Sequence, residues 1–343
     1  MSKTIEKDTE WDFFRTLKSK KLQCLACPRF CQLSDNEIGW CGARENQDGR
    51  IIPRTYGLIS SLAIDPIEKK PLYHFLPGTG ILSIGSHGCN LGCIHCQNHS
   101  ISMDRSISSL RRMTPEELVE AARSKGLLSI ASTYNEPLIA FEYVRDIANL
   151  AHQNNIKMVV VDNGYITEKL ARMIGSLLDG ANIDIKGFSK EFYREICDAR
   201  GWKSILRTCE IFYQKGVHLE ITNLIIPTKN DSMDMIKDLC IWIHDNLDAN
   251  IPLHFSRFHP DHKLLHLPPT PLKTLESAYD IAKNVGLNHV YIGNIRSQKG
   301  NDTYCQKCNS LLIQRNGYYT KTKNIQNGKC KTCQTPIYGV FSD

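Results

Sequence analysis

Eleven of the 14 cysteines fall into three clusters whose spacing points to metal chemistry. The first is Cys24, Cys27, Cys31 and Cys41; the second is Cys89, Cys93 and Cys96; the third is Cys305, Cys308, Cys330 and Cys333. Four sulfurs close a tetrahedral site, whereas a site that must hold a reactant on its metal keeps one position free. The three-sulfur cluster is therefore the candidate reactive centre. It lies in His87-Gly88-Cys89-Asn90-Leu91-Gly92-Cys93-Ile94-His95-Cys96-Gln97-Asn98, a CxxxCxxC spacing. Three thiolates on so short a loop can face one four-iron cube from a single side, with Gly88 and Gly92 letting the backbone wrap closely.

Three ligands leave one iron open. An open iron can be chelated by the amino and carboxyl groups of S-adenosylmethionine (SAM), whose reductive cleavage gives methionine and a 5′-deoxyadenosyl radical. The protein's tasks are then orientation and the exclusion of water. The alternative is a zinc site with His95, His87 or His99 as fourth ligand. The paired knuckles Cys305-x-x-Cys308 and Cys330-x-x-Cys333 have near zinc-ribbon spacing and suit zinc or a single iron. The irregular spacing of Cys24, Cys27, Cys31 and Cys41 suits zinc or an auxiliary iron–sulfur cluster. Cys197, Cys209 and Cys240 sit in helical patterns and read as small buried hydrophobes.

Composition sets the frame for this chemistry. A chain of 343 residues with 41% hydrophobic and 23% charged residues, 14 Pro and 22 Gly is neither collagenous nor disordered. No apolar run reaches the roughly 18 residues of a membrane span, and the first residues lack a secretory apolar region, so the expected address is the cytoplasm. In a reducing compartment, clustered thiols read as metal ligands rather than disulfides. The net charge of +6, from 42 basic against 36 acidic residues, permits nucleic-acid binding without indicating it.

From residue 80 the sequence alternates short β-branched runs with amphipathic ones. Strands are expected at 80–86, 127–133, 157–163, 181–187, 217–226, 251–258 and 289–295, with helical patterns between them, one of them the long stretch 189–216. Thr114 and Glu117 form a capping-box pattern, and Gly126, Gly180, Gly216 and Gly286 sit where helix C-caps belong. Such alternation predicts an α/β fold with a parallel sheet whose strand C-termini share one rim. Six βα units and a seventh strand predict a partial, open (β/α)6 TIM-like barrel, with a doubly wound sheet as the rival. Three units follow: a Cys-rich extension over 1–78, the barrel over 79–296 and a zinc-ribbon-like module over 297–343.

The rim carries further candidates. Thr133-Tyr134-Asn135-Glu136-Pro137 ends the second strand, and strand-end carbonyls with the Glu136 carboxylate suit an ammonium. A plain helix start, with Asn135 as N-cap, is the other reading. Asp184 and Lys186 fall on one strand face, a pair that serves either a charged ligand or the fold. Asn163 closes the third strand. His254, Ser256 and Arg257 interrupt the sixth; Arg257 would meet an anionic substrate group, and His254 is either a site residue or a satisfied core histidine.

CNLGCIHCQN after the first strand resembles the signature of radical SAM enzymes. Within them, the chain is similar to the activase-like branch related to pyruvate formate-lyase activating enzyme, and to the AmmeMemoRadiSam-system radical enzymes. The resemblance covers nearly the whole chain, through CLACPRFC…GWCGAR, SLAIDPIEKKPLYHFLPGT, TYNEP, NIDIKGF, TNLIIPTKNDS, PLHFSRFHP and TYCQKC…CKTC. It implies a [4Fe-4S] cluster on Cys89, Cys93 and Cys96 and a methionyl ammonium held by the loop Thr133, Tyr134, Asn135 and Glu136. It also implies cofactor contacts for Asn98, Asn163, Asp184, Lys186 and His254. His95 stands where an aromatic residue is usual, and an imidazole can still pack flat on adenine. The implied partners are an unknown substrate, with a protein glycine foremost, and an electron donor such as ferredoxin or flavodoxin. Radical modification of a small molecule, lipid or nucleic acid is the alternative; a non-enzymatic zinc or nucleic-acid-binding protein is the rival from another class.

Overall fold

The computed structural model describes residues 11–17 and 21–342, and its centre is one open sheet of eight strands laid side by side in chain order. These are β1 (Ser61–Pro66), β2 (Gly80–Gly85), β3 (Ser129–Ser132), β4 (Lys157–Asp162), β5 (Gly180–Asp184), β6 (His218–Ile225), β7 (Leu253–Arg257) and β8 (Val290–Gly293). Strands β2 to β8 are all parallel, so their C-terminal ends open on one rim. The crossovers are α1 (Pro115–Ser124), α2 (Phe141–Gln153), α3 (Glu168–Ile174), α4 (Lys190–Ile196), α5 (Lys203–Gln214), α6 (Met233–Asn246) and α7 (Leu272–Val285). All seven expected strands are present with slightly trimmed ends, and the sheet runs from β8 to β1 without closing. The partial barrel is borne out.

Local chemistry explains the element ends. Thr114 accepts from the Glu117 backbone while Glu117 caps back onto Thr114, a box that stabilises α1 by about 1 kcal/mol. Gly126, Gly216 and Gly286 follow helix ends with positive φ, as their spacing implies. Gly180 does not; it opens β5, and α3 stops at Ile174 with Gly175 as its cap. The stretch 189–216 is two helices, because the chain turns left-handed at Asp198 (φ 48°) and Gly201 (φ 68°). Strand β1 also departs from the expected organisation. It lies within the extension ending at residue 78, yet it pairs antiparallel with β2 along its full length.

The flanking modules are anchored to the barrel. The N-terminal one is a set of short antiparallel strands, with Phe13 edge-on to Phe141 of α2 and Arg44 bonded to Glu142 at 2.7 Å. The C-terminal one contains the hairpin β9 (Leu311–Asn316) and β10 (Tyr319–Thr322). Its Arg315 donates to the Tyr73 carbonyl at 2.7 Å, and its Tyr338 hydroxyl accepts from the Leu219 amide at 2.9 Å. Beneath the cavity, Glu220 of β6 is fully buried and accepts four hydrogen bonds, from the amides of Tyr73 and His74 and from His218 and His254. Burial alone would raise the Glu220 carboxyl, but the two histidines outweigh it and hold it well below the usual range. Among the described residues, no helix is long and apolar enough to cross a membrane.

Candidate functional site

A cavity of about 540 Å³ opens at the C-terminal ends of the strands. Cys89, Cys93 and Cys96 line it from the loop after β2, and Thr133 to Glu136 line it from the end of β3. Asn163 follows β4, Asp184 ends β5 with Lys186 two residues beyond it, Thr222 comes from β6 and Ser256 from β7. Residues dispersed over more than 160 positions thus meet at one rim, as parallel strands require.

The cysteine loop is held before any ligand arrives. The amides of Gly92 and Ile94 donate to the carbonyls of Cys197 and Ile196, pinning the loop to the end of α4. Asn90 donates to the Tyr165 carbonyl at 2.8 Å and accepts from Asn163 at 2.9 Å. Gly88 has φ +93°, and a Cβ there would stand 2.2 Å from the Cys41 carbonyl oxygen. No other residue fits that approach. Burial, with Glu136 second, raises the Cys89 thiol; the Cys197 thiol followed by burial raises Cys93, and burial raises Cys96. Without metal these are protonated thiols, and a metal must displace their protons to bind.

Glu136 is 2% exposed, and its two carboxylate oxygens accept from the amides of Leu138 and Asn163, both at 3.0 Å. Burial pushes it up to about 7 against those two bonds. Glu136 also caps the short turn Pro137–Ala140, so the helix-start reading holds with Glu136 in place of Asn135. Asn135 instead ties the two strand-end loops together, accepting from the Ser86 amide and donating to the Gly88 carbonyl, each at 2.9 Å. Tyr134 adopts φ +72°, held by its hydroxyl bond to Asp65 and by Lys70 4.1 Å above its ring. Asn98 donates to the Tyr134 carbonyl at 2.8 Å.

Lys186 and Asp184 pair at 2.9 Å. Burial would pull the Lys186 ammonium down, but the Asp184 carboxylate outweighs it and holds it well above the ordinary lysine range. His95 is 3% exposed, and its Nδ1 has no hydrogen-bond partner. Burial, helped by Lys186, pushes it down to about 3, so it presents a neutral ring to the cavity.

Two expected site residues lie elsewhere. His254 is one pleat below Ser256 and is bonded to Glu220 at 2.7 Å, so it belongs to the buried base rather than to the cavity wall. Arg257, on the opposite face of β7 from Ser256, donates to the Thr270 carbonyl at 3.0 Å and does not line the cavity. In turn, the structure adds Lys69, Lys70 and Tyr318 to the cavity wall. The EKK run inside SLAIDPIEKKPLYHFLPGT is a legible signal for the lysines; nothing in the sequence points to Tyr318, which arrives from the turn between β9 and β10.

The C-terminal cysteines converge. Cys305 and Cys333 sulfurs are 3.5 Å apart, Cys308 and Cys330 3.7 Å, and all four lie within 4.8 Å. Tetrahedral Zn–S bonds of 2.3 Å set sulfurs about 3.8 Å apart, so this group can hold one metal ion.

Comparison with known proteins agrees with this geometry. The model of the radical SAM superfamily matches residues 83–240, which contain the three cysteines, Glu136, Asp184 and Lys186. Uncharacterized protein MJ0808 of Methanocaldococcus jannaschii is 42% identical over 328 residues, covering 95% of this chain and 97% of that one. The chain belongs to the radical SAM superfamily. Such enzymes work with SAM and a [4Fe-4S] cluster, and the donor set here fits both: three sulfurs, a buried carboxylate, a half-buried ammonium and a histidine ring line one cavity. 7-Carboxy-7-deazaguanine synthase of the same archaeon is 25% identical over 159 residues, spanning 40% of this chain and 63% of that enzyme. The solved radical SAM methyltransferase of Sphaerobacter thermophilus superposes with TM-score 0.50 at 14% identity, over 64% of this chain and 67% of that one, a likeness of fold.

Proposed function

We propose that this radical SAM chain is an activase-like enzyme of the AmmeMemoRadiSam branch, with its [4Fe-4S] cluster on Cys89, Cys93 and Cys96. The observation that carries the reading is the convergence of those three sulfurs with Glu136, Asp184 and Lys186 on a single cavity. When bound, cluster and SAM supply the one-electron cleavage to methionine and a 5′-deoxyadenosyl radical that abstracts hydrogen. Glu136 and the Thr133–Asn135 strand end receive the ammonium of the cofactor, and Lys186 its carboxylate. The neutral His95 ring offers a flat face to adenine, while Asn98, Asn163 and Asn135 hold the loops at fixed separation. His254 and Arg257 stand outside the cavity wall.

The substrate in this reading is a glycine of a protein partner. An unclosed sheet, and a cavity wall that includes Lys69 and Tyr318 from outside the parallel strands, support a large substrate. The extension to residue 78 and the module from 297 act as flanking units, the latter holding zinc, and a ferredoxin or flavodoxin supplies the electron. The test is 5′-deoxyadenosine formation from SAM and dithionite under anaerobic conditions, in wild type and the Cys89, Cys93, Cys96→Ala triple variant. Formation only in wild type supports the reading; none in either after reconstitution with iron and sulfide refutes it. Cell extract grown on glycine carrying deuterium at its α-carbon then separates substrates. Label entering 5′-deoxyadenosine from the protein fraction supports the activase role, and label from the small-molecule fraction alone overturns it.

A further inference from the structure

The four N-terminal cysteines stand differently from the C-terminal four. Among the described residues, the C-terminal set is the group whose ligand atoms all fall within 4.8 Å, as one ion requires. Cys24, Cys27, Cys31 and Cys41 instead line a small cavity of about 20 Å³, walled also by Arg44 and Asn90. Among the described residues, no three of these four sulfurs lie within 4.8 Å of one another, so they are spread around a volume rather than meeting at a point. That is the disposition of a polynuclear centre held at its corners.

Two further observations bear on the cavity. Arg44 is 2% exposed, and its Nη atoms are bonded to Glu142 and the Ile139 carbonyl, yet its Nε has no partner. A buried cationic N–H left free on a side chain that walls the cavity is suited to donate to a cluster sulfur. The cavity also abuts the catalytic loop. Asn90 follows Cys89 directly, Arg29 donates to its carbonyl at 2.6 Å, and the Cys41 carbonyl fills the space that a side chain at Gly88 would need.

We propose that Cys24, Cys27, Cys31 and Cys41 hold a second iron–sulfur cluster, fully ligated by protein sulfur and packed against the loop that carries Cys89. With no open iron it binds no substrate. It takes one electron from a low-potential carrier protein and passes one electron to the centre at Cys89, alternating between two oxidation states with no bond made or broken. The presence of this cluster goes beyond the SAM reading and does not depend on it; the passage of its electron to the centre at Cys89 rests on that reading.

The experiment is iron, sulfide and zinc analysis with electron paramagnetic resonance (EPR) of the dithionite-reduced protein, purified anaerobically, on the Cys89, Cys93, Cys96→Ala triple variant. The expected result is that about half of the wild-type iron and sulfide remains, about four of each for a cubane, with an EPR signal of a reduced cluster. The Cys27→Ser, Cys41→Ser double variant loses the complementary half; if it fails to fold by circular dichroism, the triple variant decides alone. A triple variant with no sulfide, carrying either zinc or a single iron at the N-terminal cysteines, overturns the proposal. Iron retained there while wild type forms no 5′-deoxyadenosine upholds the second cluster and defeats the SAM reading instead.

Discussion

Replacing Glu220 by Gln separates the base of the barrel from its active rim. One carboxylate oxygen accepts from the His74 amide at 2.7 Å and His218 at 3.0 Å; the other accepts from the Tyr73 amide at 3.0 Å and His254 at 2.7 Å. Gln keeps the volume but turns one acceptor into an NH₂ that faces two donors. A histidine can change tautomer and accept; a backbone N–H cannot. At least one buried amide is therefore orphaned, at about 1–3 kcal/mol, and the charge-assisted character of the remaining bonds is lost, for a total of about 3 kcal/mol. At roughly 2 °C per kcal/mol for a large domain, Tm falls by about 6 °C. Thermal unfolding followed by circular dichroism measures this, and equilibrium dialysis of SAM should show unchanged affinity, because Glu220 does not line the cavity. The pH dependence has a definite sign. The folded carboxyl lies well below its ordinary value, so its stabilisation is complete above the unfolded value of about 4.3 and fades as pH falls through the folded one. The difference in Tm between wild type and E220Q should shrink as pH falls below about 4. A Tm drop under 2 °C, or a SAM affinity that moves with it, would refute the assignment of Glu220 to the base.

Four further outcomes follow from the structure. Glu136→Gln should weaken SAM binding by roughly 10- to 100-fold, the worth of one charge-assisted hydrogen bond. In wild type, affinity measured by calorimetry should fall between pH 8 and 6, because a carboxyl pushed up to about 7 becomes neutral over that range and no longer attracts an ammonium. Gly88→Ala should lower iron content, since a Cβ 2.2 Å from the Cys41 carbonyl cannot be housed without moving the loop; normal iron with normal 5′-deoxyadenosine would count against the close approach. Chelation of the metal at Cys305, Cys308, Cys330 and Cys333 should expose residues 303–340 to protease before the barrel is cut, because the module has a small apolar core built largely around those cysteines.

The alternation of β-branched and amphipathic runs was enough to place all seven parallel strands and to leave the barrel unclosed. Burial on both faces demands near-continuous apolar strands, and that pattern is local. The CxxxCxxC loop was legible for the same reason: its chemistry is carried by spacing within one turn of chain. Sequence by itself also put Glu136, Asp184 and Lys186 at strand ends, where parallel topology brings them to the rim. Tertiary structure decided everything that depends on which neighbour a side chain meets. His254 and Ser256 share a strand face, yet the partner at Glu220 draws the histidine into the base while the serine reaches the cavity. The left-handed turn at Asp198 and Gly201 split a run that looked helical throughout. Tyr318 enters the cavity wall, and β1 completes the sheet, through contacts between segments far apart in the chain. Periodicity carries no information about such meetings, because it records the face a residue presents and not what waits on the other side.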